Sequence, residues 1–485
     1  MQTRFSLFLQ ALLVGIVASA CPGGALAQTV GLEEVVMSAG TSAPGVRRED
    51  ESVRRAEGQA QQARGAFDWT LSGESGWERL YVPGTQNGFL TNDTATVDTW
   101  RTTLGATRLF RNGIAIQPGM TFFYGTDATV GQTLGLTRSR PALNVTIPLM
   151  RGFGSDNLSA SNEKAAIAAL EGSRYSRDFA GQRAVAEAVI IYWRCVAARD
   201  QLAISEVDRR LADENLVIVR NALAAGQTDQ TMLDRSSASQ ATTQVIYARS
   251  IASDRLCRED LAVAMGTNSE APPAAVVGAL LDPAPMSDQV MRLNEAALVQ
   301  VALSRRTDLQ ALARFDAAQH ERVAGAQDNL QPRVDIFLDP TRALVRLSQP
   351  LGRNVAEGQI ADAMAAQNEA RLNLQQLQGQ IRRDVGEQVR NLRDAWSAAT
   401  ALAEAAMRLD VVVTDAERRF QAGFLTRAEY RIMQDEFAGI RRQHIDARLQ
   451  FASSLAALRL ATGAIGTGDG SPGSAPAALF RSLPN

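Results

Sequence analysis

The chain carries the same plan twice. The run from Leu261 to Gly266 (LAVAMG) resembles the run from Leu458 to Gly463 (LRLATG), 197 residues later. Ala225-Gly226 and Ala422-Gly423 share that offset, so each pair of glycines lies 40 residues apart. Upstream, Ile147-Pro148-Leu149 is echoed by Gln349-Pro350-Leu351. Internal repetition on this scale means that any fold must be built from two similar halves.

The halves can be traced by proline, glycine and turn signals. From about Ser155 to Ala225 there is no proline, and Ala, Leu, Ile, Glu and Arg dominate. This predicts a helix of about 70 residues, about 105 Å long. Gly226, Gln227 and Thr228 form a stop, with an N-cap at Thr228 or Asp229. A return helix follows from about Thr231 to Met265, and Gly266 and Pro272-Pro273 end it. In the second half a helix is expected from Asn354 to Ala422, then a turn at Gly423. Thr426 caps the return helix with Glu429 three residues on, a capping box. Each outgoing helix is about twice as long as its return. Helices near Arg47 to Arg64 and Asp308 to Asn329 would supply the missing length. One rod is then continuous and the other is in two segments.

Between these rods the period changes. Residues 333–351 (RVDIFLDPTRALVRLSQPL) alternate around Asp339-Pro340-Thr341 and read as a β-hairpin. In the first half Phe67, Trp69, Leu71 and Trp77 share one strand face, and Asp68, Thr70, Ser72 and Glu74 the other. Aromatics near both ends of an apolar face fit a transmembrane barrel strand. Further strands are expected at 100–110, 114–124 and 143–149, with a tight turn at Arg111-Asn112-Gly113.

The N-terminus reads as an export signal. Arg4 precedes an apolar run from Leu7 to Ala18, and Ala25-Leu26-Ala27 offers a cleavage site before Gln28. The run is shorter than a membrane span needs. Ala18 to Cys21 is a weaker, lipobox-like alternative that would lipidate Cys21. No later stretch could cross a membrane as a helix, whereas strands can cross an outer membrane. The net charge of −2 leaves no basic excess for nucleic acid. His320 and His444 are the only histidines and lie far apart, so a His-based metal site is not expected. No catalytic motif or cofactor fingerprint appears.

In this arrangement the chain resembles the TolC-type outer-membrane efflux proteins, over essentially all of its mature length. The resemblance rests on the duplicated half, on Pro148-Leu149 and Pro350-Leu351, and on the turns at Gly226 and Gly423. It rests also on Arg306-Thr307-Asp308-Leu309 opening a short helix that Leu330-Gln331-Pro332 closes before a strand. It implies a mainly α fold with a β-barrel part: duplicated long antiparallel helical hairpins forming a periplasmic tube, and short strand segments forming a shared outer-membrane barrel. It implies a homotrimer in outer-membrane lipid, working with a periplasmic adaptor protein and an inner-membrane transporter. The expected role is the exit duct of an efflux or type I secretion system. A non-conducting helical scaffold is the alternative.

The expected organisation is a signal peptide (1–27), an N-terminal segment with a short helix (28–66), first-half strands (67–150) and a first helical hairpin (151–266). A linker or equatorial segment (267–304), a short helix (305–332), a second strand hairpin (333–351), a second helical hairpin (352–463) and a disordered tail (464–485) complete it. The second strand hairpin is a departure. It allows about six residues per strand, where a tilted span needs about 9 to 11, so two spanning strands per half is in doubt.

The helix turns are the candidate functional residues. In the family the tips form the periplasmic entrance, contact the adaptor and carry acidic rings. Glu429, Asp229 and Asp234 are the pore-entrance candidates; Gly226, Gly423, Thr228 and Thr426 are the turn and adaptor-contact candidates. Glu429 has a plainer reading as the capping-box residue, and Asp229 as an N-cap. Met232 stands where Glu429 has its first-half counterpart. Cys195 and Cys257 lie 31 residues before and after Gly226, at similar heights on antiparallel helices. They are candidates for a disulfide or for two buried thiols.

Overall fold

The structure is a computed structural model, and it describes residues 29–86, 89–126, 135–267, 272–465 and 477–483. The proposed signal peptide and Cys21 lie outside the described residues.

In chain order the elements are β1 (Thr29–Val30), α1 (Leu32–Ser42), α2 (Pro44–Gly65), β2 (Thr70–Gln86), β3 (Phe89–Leu109), β4 (Ala115–Thr126), β5 (Gly135–Pro148), α3 (Leu158–Ala224), α4 (Gln230–Ala264) and β6 (Ala275–Val276). Then come α5 (Ser287–Met291), α6 (Glu295–Arg305), α7 (Thr307–Asp328), β7 (Arg333–Asp339), β8 (Arg342–Ser348), α8 (Asn354–Gln421) and α9 (Arg427–Ala461).

The helices form long rods. α3 has 67 residues and α8 has 68, each about 100 Å long. α4 and α9 have 35 each. α2 and α7, with 22 each, extend them. The junctions are tight. Ser38 Oγ donates to the Met265 carbonyl at 2.8 Å, tying the end of α4 to α1 just before α2 begins. Gly463, after α9, abuts the Arg305 and Arg306 backbone where α7 begins. Towards the tips α3 lies between α4 and α9, and α9 between α3 and α8; towards the sheet the order is α2, α3, α7, α8. The layer is thus open at two edges, α2/α4 on one side and α8 on the other.

This thin wall explains how the apolar stripe on α3 is shared out. Leu216 is buried, but Leu202, Leu211 and Val219 are only half-buried. Among the described residues a continuous core exists at mid-height alone. There β1 pairs in parallel with β6, and α1, α5 and α6 pack on the rods. The equatorial segment is fastened by arginines that reach its backbone carbonyls. Arg199 donates to Val276 and Gly278, and Arg448 to Leu280 and Leu281. Tyr192 and Trp193 are fully buried beneath it, and the Tyr192 hydroxyl donates to the Val277 carbonyl at 2.6 Å.

The strands form one antiparallel sheet in the order β2-β3-β4-β5-β7-β8. β2 to β5 have 17, 21, 12 and 14 residues, ample for a tilted span of about 9 to 11. β7 and β8 have 7 each.

Three expectations need correction. Phe67 is not on the outer strand face. It sits in the turn that closes α2, with its N–H on the Arg64 carbonyl, and is 4% exposed beneath the Arg111 guanidinium. Strand pairing begins only at Thr70. The strand segments of the first half also run longer than their apolar alternation. β3 begins at Phe89 and β5 at Gly135, because backbone pairing continues through polar residues beyond the apolar band. Finally, residues 477–483 of the tail are not disordered. It forms a short helical turn whose Phe480 and Leu483 are buried. Buried Arg459 holds it by donating to the carbonyls of Ser482 and Leu483. That burial pushes the Arg459 guanidinium down to about 10.

Candidate functional site

The helix turns lie at the far end of the rods from the sheet. Gly226 and Gly423 have φ of +70° and +80°, a left-handed conformation that a side chain disfavours. Both close Schellman motifs. Gly226 N–H donates to Leu223 and Gln227 N–H to Ala222; Gly423 N–H donates to Phe420 and Phe424 N–H to Arg419.

The return helices start differently. Asp229 caps α4, its carboxylate accepting from Met232 N–H at 3.0 Å. Thr228 is half-buried and precedes the cap. Asp234 accepts from Gln230 Nε2 at 2.9 Å along the same exposed turn. On α9 the full capping box forms. Glu429 N–H donates to Thr426 Oγ1 at 3.3 Å. Glu429 Oε2 accepts from Thr426 N–H at 3.0 Å and from Thr426 Oγ1 at 2.6 Å. These bonds favour the charged form and hold the Glu429 carboxyl below its ordinary range.

The two tips are joined to each other. Arg427 Nε reaches Asn215 Oδ1 at 3.3 Å, and Asn215 also donates to buried Ser236 at 3.0 Å. Phe420 and Tyr430 stack with centroids 5.3 Å apart. Phe424, beside the second turn, is 84% exposed. Asp229, Asp234 and Glu429 are all exposed, so the tips present acid and an aromatic ring outward. Higher on α3 and α4, Cys195 and Cys257 are joined as a disulfide, with Cα atoms 5.4 Å apart. Both are buried in the mid-height core.

The sheet end shows a second polarity. Pairing aligns Trp77 with Trp100 and Trp100 with Tyr124, so these three rings form one level on one face. Leu71, Leu104 and Met120 lie below them on that face, with Trp69 beneath. All seven are exposed. The opposite face carries Glu74, Arg101 and Arg140. Among described residues no cluster of His, Cys, Asp and Glu could hold a metal, and no helix is long and apolar enough to cross a membrane.

Sequence reasoning missed the edges of the helical layer. Val245, Ile251 and Leu256 on α4, and Met407 and Val411 on α8, are exposed. Their apolar character is written in the sequence. Which helices end the layer is not, and without that they pass for ordinary core positions.

The fold is that of outer-membrane channels. The structure is similar to the Campylobacter jejuni CmeC outer membrane channel, with TM-score 0.67 and 11% identity over 89% of this chain and 85% of that one. It is similar to the outer membrane protein VceC of Vibrio cholerae, with TM-score 0.64 and 14% identity over 89% and 96%. It is also similar to the open state of the MtrE outer membrane channel of Neisseria gonorrhoeae, with TM-score 0.63 and 14% identity over 89% and 88%. No protein-family model matches the chain, and no curated protein matches it by sequence.

Proposed function

We propose that this chain is a TolC-type outer-membrane exit duct: three copies close a barrel in outer-membrane lipid and a helical tube below it. The observation that carries this reading is the paired openness of the two layers. The sheet ends at β2 and β8, and the helical layer at α2/α4 and α8. Both edges of the helical layer expose apolar side chains, the mark of an interaction surface. The sheet has an apolar, aromatic-rimmed face, which suits lipid, and lipid does not tolerate an open sheet edge. First-half elements form one edge and second-half elements the other, so a ring of identical copies satisfies both at once.

The helix tips are then the periplasmic entrance. Glu429, Asp229 and Asp234 would line or flank it and favour cations. The turns at Gly226 and Gly423, with Thr228, Thr426 and exposed Phe424, would meet a periplasmic adaptor that links the duct to an inner-membrane transporter. Cargo would be a drug-like solute or a secreted polypeptide, passing from the periplasmic side outward. Export would follow cleavage after Ala27.

The test is single-channel conductance of the purified mature protein in a planar bilayer. Discrete, long-lived steps are expected, and Glu429→Gln should weaken cation preference. Absence of conductance, persisting when the tips are replaced by Gly-Ser loops, would overturn the duct in favour of a scaffold.

A further inference from the structure

β5 and β7 do not match in length. β5 has 14 residues, and β7 pairs with only four of them, Val145 to Pro148. The tip of the β7–β8 hairpin therefore climbs only to the level of Asn144. From Gly135 to Asn144, β5 has β4 on one side and, among described residues, no strand of this chain on the other. This free edge is at membrane height. Thr137 pairs with Tyr124 of the upper aromatic level, and exposed Leu143 lies well below it on the same face. A row of unpaired backbone groups cannot stand in hydrocarbon.

We propose that Gly135–Asn144 of β5 pairs directly with the outer part of β2, about Trp77 to Gln86, of a second copy of this chain, above the hairpin. The inference rests on the reading that copies close a common barrel. Above the hairpin tip the wall is then built from first-half strands alone. The second-half hairpin is a wedge that enters from the periplasmic rim, between β5 of one copy and the lower part of β2 of the next.

Three features carry this. The first is length. β8 can cover seven residues of β2, which leaves about ten of its 17 free, and about ten of β5 are free as well. The second is direction. β2 runs away from the helices and β5 towards them. A hairpin adds two strands and does not change that parity, so β8 and β5 both meet β2 antiparallel. The third is facing. Leu71, Trp77 and Tyr81 of β2, Leu143 of β5, and Val345 and Leu347 of β8 are all odd-numbered and all exposed on the apolar face. A register that sets Leu143 beside Trp77 and Ser139 beside Tyr81 keeps Trp77, Tyr81 and Leu143 on the outer face. Pro141 and Pro83 cannot donate, so neither adds an N–H to the ladder.

Cysteine pairs in the full chain, oxidised in outer membranes, test this. Ser139→Cys with Tyr81→Cys, and separately Leu143→Cys with Trp77→Cys, should move most of the chain to cross-linked positions on a non-reducing gel. Each single variant should stay at monomer mobility. The rim pair, Leu347→Cys with Leu71→Cys, should also link. A rim pair that links while neither upper pair does would overturn the inference and leave the duct intact. If no pair links, copies do not close a barrel at all, and the proposed function falls together with the inference.

Discussion

α3 and α8 have 67 and 68 residues, α4 and α9 have 35 each, and α2 and α7 have 22 each. The strands of the same two halves share nothing of this. The first half gives four, of 12 to 21 residues; the second gives two, of 7. The difference follows from how each layer transmits an error. An extra residue in a rod turns everything beyond it by about 100° and moves apolar side chains off the neighbouring helix. Two rods between the same levels must therefore agree residue by residue. A sheet grows sideways, and its closure depends on strand parity and on an unbroken ladder. One half can give up spanning strands if the other supplies them.

The largest effect that would sharpen this comparison comes from a charge on the apolar sheet face. Leu104 on β3 lies between the Trp69 and Trp77 levels, and Leu347 on β8 belongs to the short hairpin. Lys at the bilayer midplane of a barrel costs about 2–4 kcal/mol, and near an interface about 0–1. Leu104→Lys should therefore abolish assembled oligomers in outer-membrane fractions, while Leu347→Lys leaves them near wild-type abundance. Equal loss in both would place the hairpin in the membrane and break the contrast between halves.

The helical symmetry has its own exception. Cys195 and Cys257 are bonded in the first half. The offset of 197 places Leu392 and Ser454 at the same points of the second, and both are buried. One half is cross-linked where the other is merely packed. Cys257→Ser should cost about 2–4 kcal/mol, read as a lower unfolding midpoint of the helical part. The double variant Leu392→Cys with Ser454→Cys should form a second bond, found by non-reducing mass mapping. Free thiols there would show that the halves differ in helix spacing despite equal lengths.

Much of this could be read in the sequence, and for physical reasons. Rod lengths and turns were legible because proline and glycine punctuate them: Asn354 begins α8, and Gly226 and Gly423 close α3 and α8. The short second hairpin was legible through alternation about Asp339 to Thr341. The buried segment Ala477–Arg481 was not. Its partner is Arg459, one arginine among many on a helix, and nothing local marks it as a clamp. The outer stretches of β3 and β5 were hidden because alternation reports an apolar face, and backbone pairing does not require one. The pairing of Asp229 and Thr426 with their helices was legible as capping. The apolar edges of α4 and α8 were not, since an edge is a property of assembly order.

The turn glycines test the symmetric part. Gly226→Ala and Gly423→Ala each force an alanine to a positive φ, at about 1–2 kcal/mol. No atom beyond their chain neighbours stands within 4 Å of the added Cβ in either turn, so the two costs should agree. Hydrogen exchange at Gln227 and Phe424, the amides that close the two turns, reads them independently. Unequal losses would mean that one tip is held by something other than its own turn.

The smallest effect separates the two return helices. α9 has a capping box and α4 a single cap, because Glu429 is replaced in the first half by Met232. Thr426→Ala removes the hydroxyl that links Glu429 to the helix start and should cost about 1 kcal/mol, read as faster exchange at the Glu429 and Tyr430 amides. The Glu429 carboxyl is held below its ordinary range by Thr426. Its contribution to the α9 tip is therefore complete above the unfolded carboxylate value, about 4.3. It is lost as pH falls through the lower, folded value. Exchange at the α9 tip, corrected for intrinsic rate, should rise in that acidic window. Glu429→Gln keeps an acceptor for the box and removes the titration, so its tip should stay closed and lose the acid dependence. The same variant also separates the cap formed by Glu429 from its proposed charge at the entrance. A change in cation preference with an unchanged tip assigns the preference to the charge. A change that appears only with a loosened tip, as in Thr426→Ala, assigns it to the shape of the entrance.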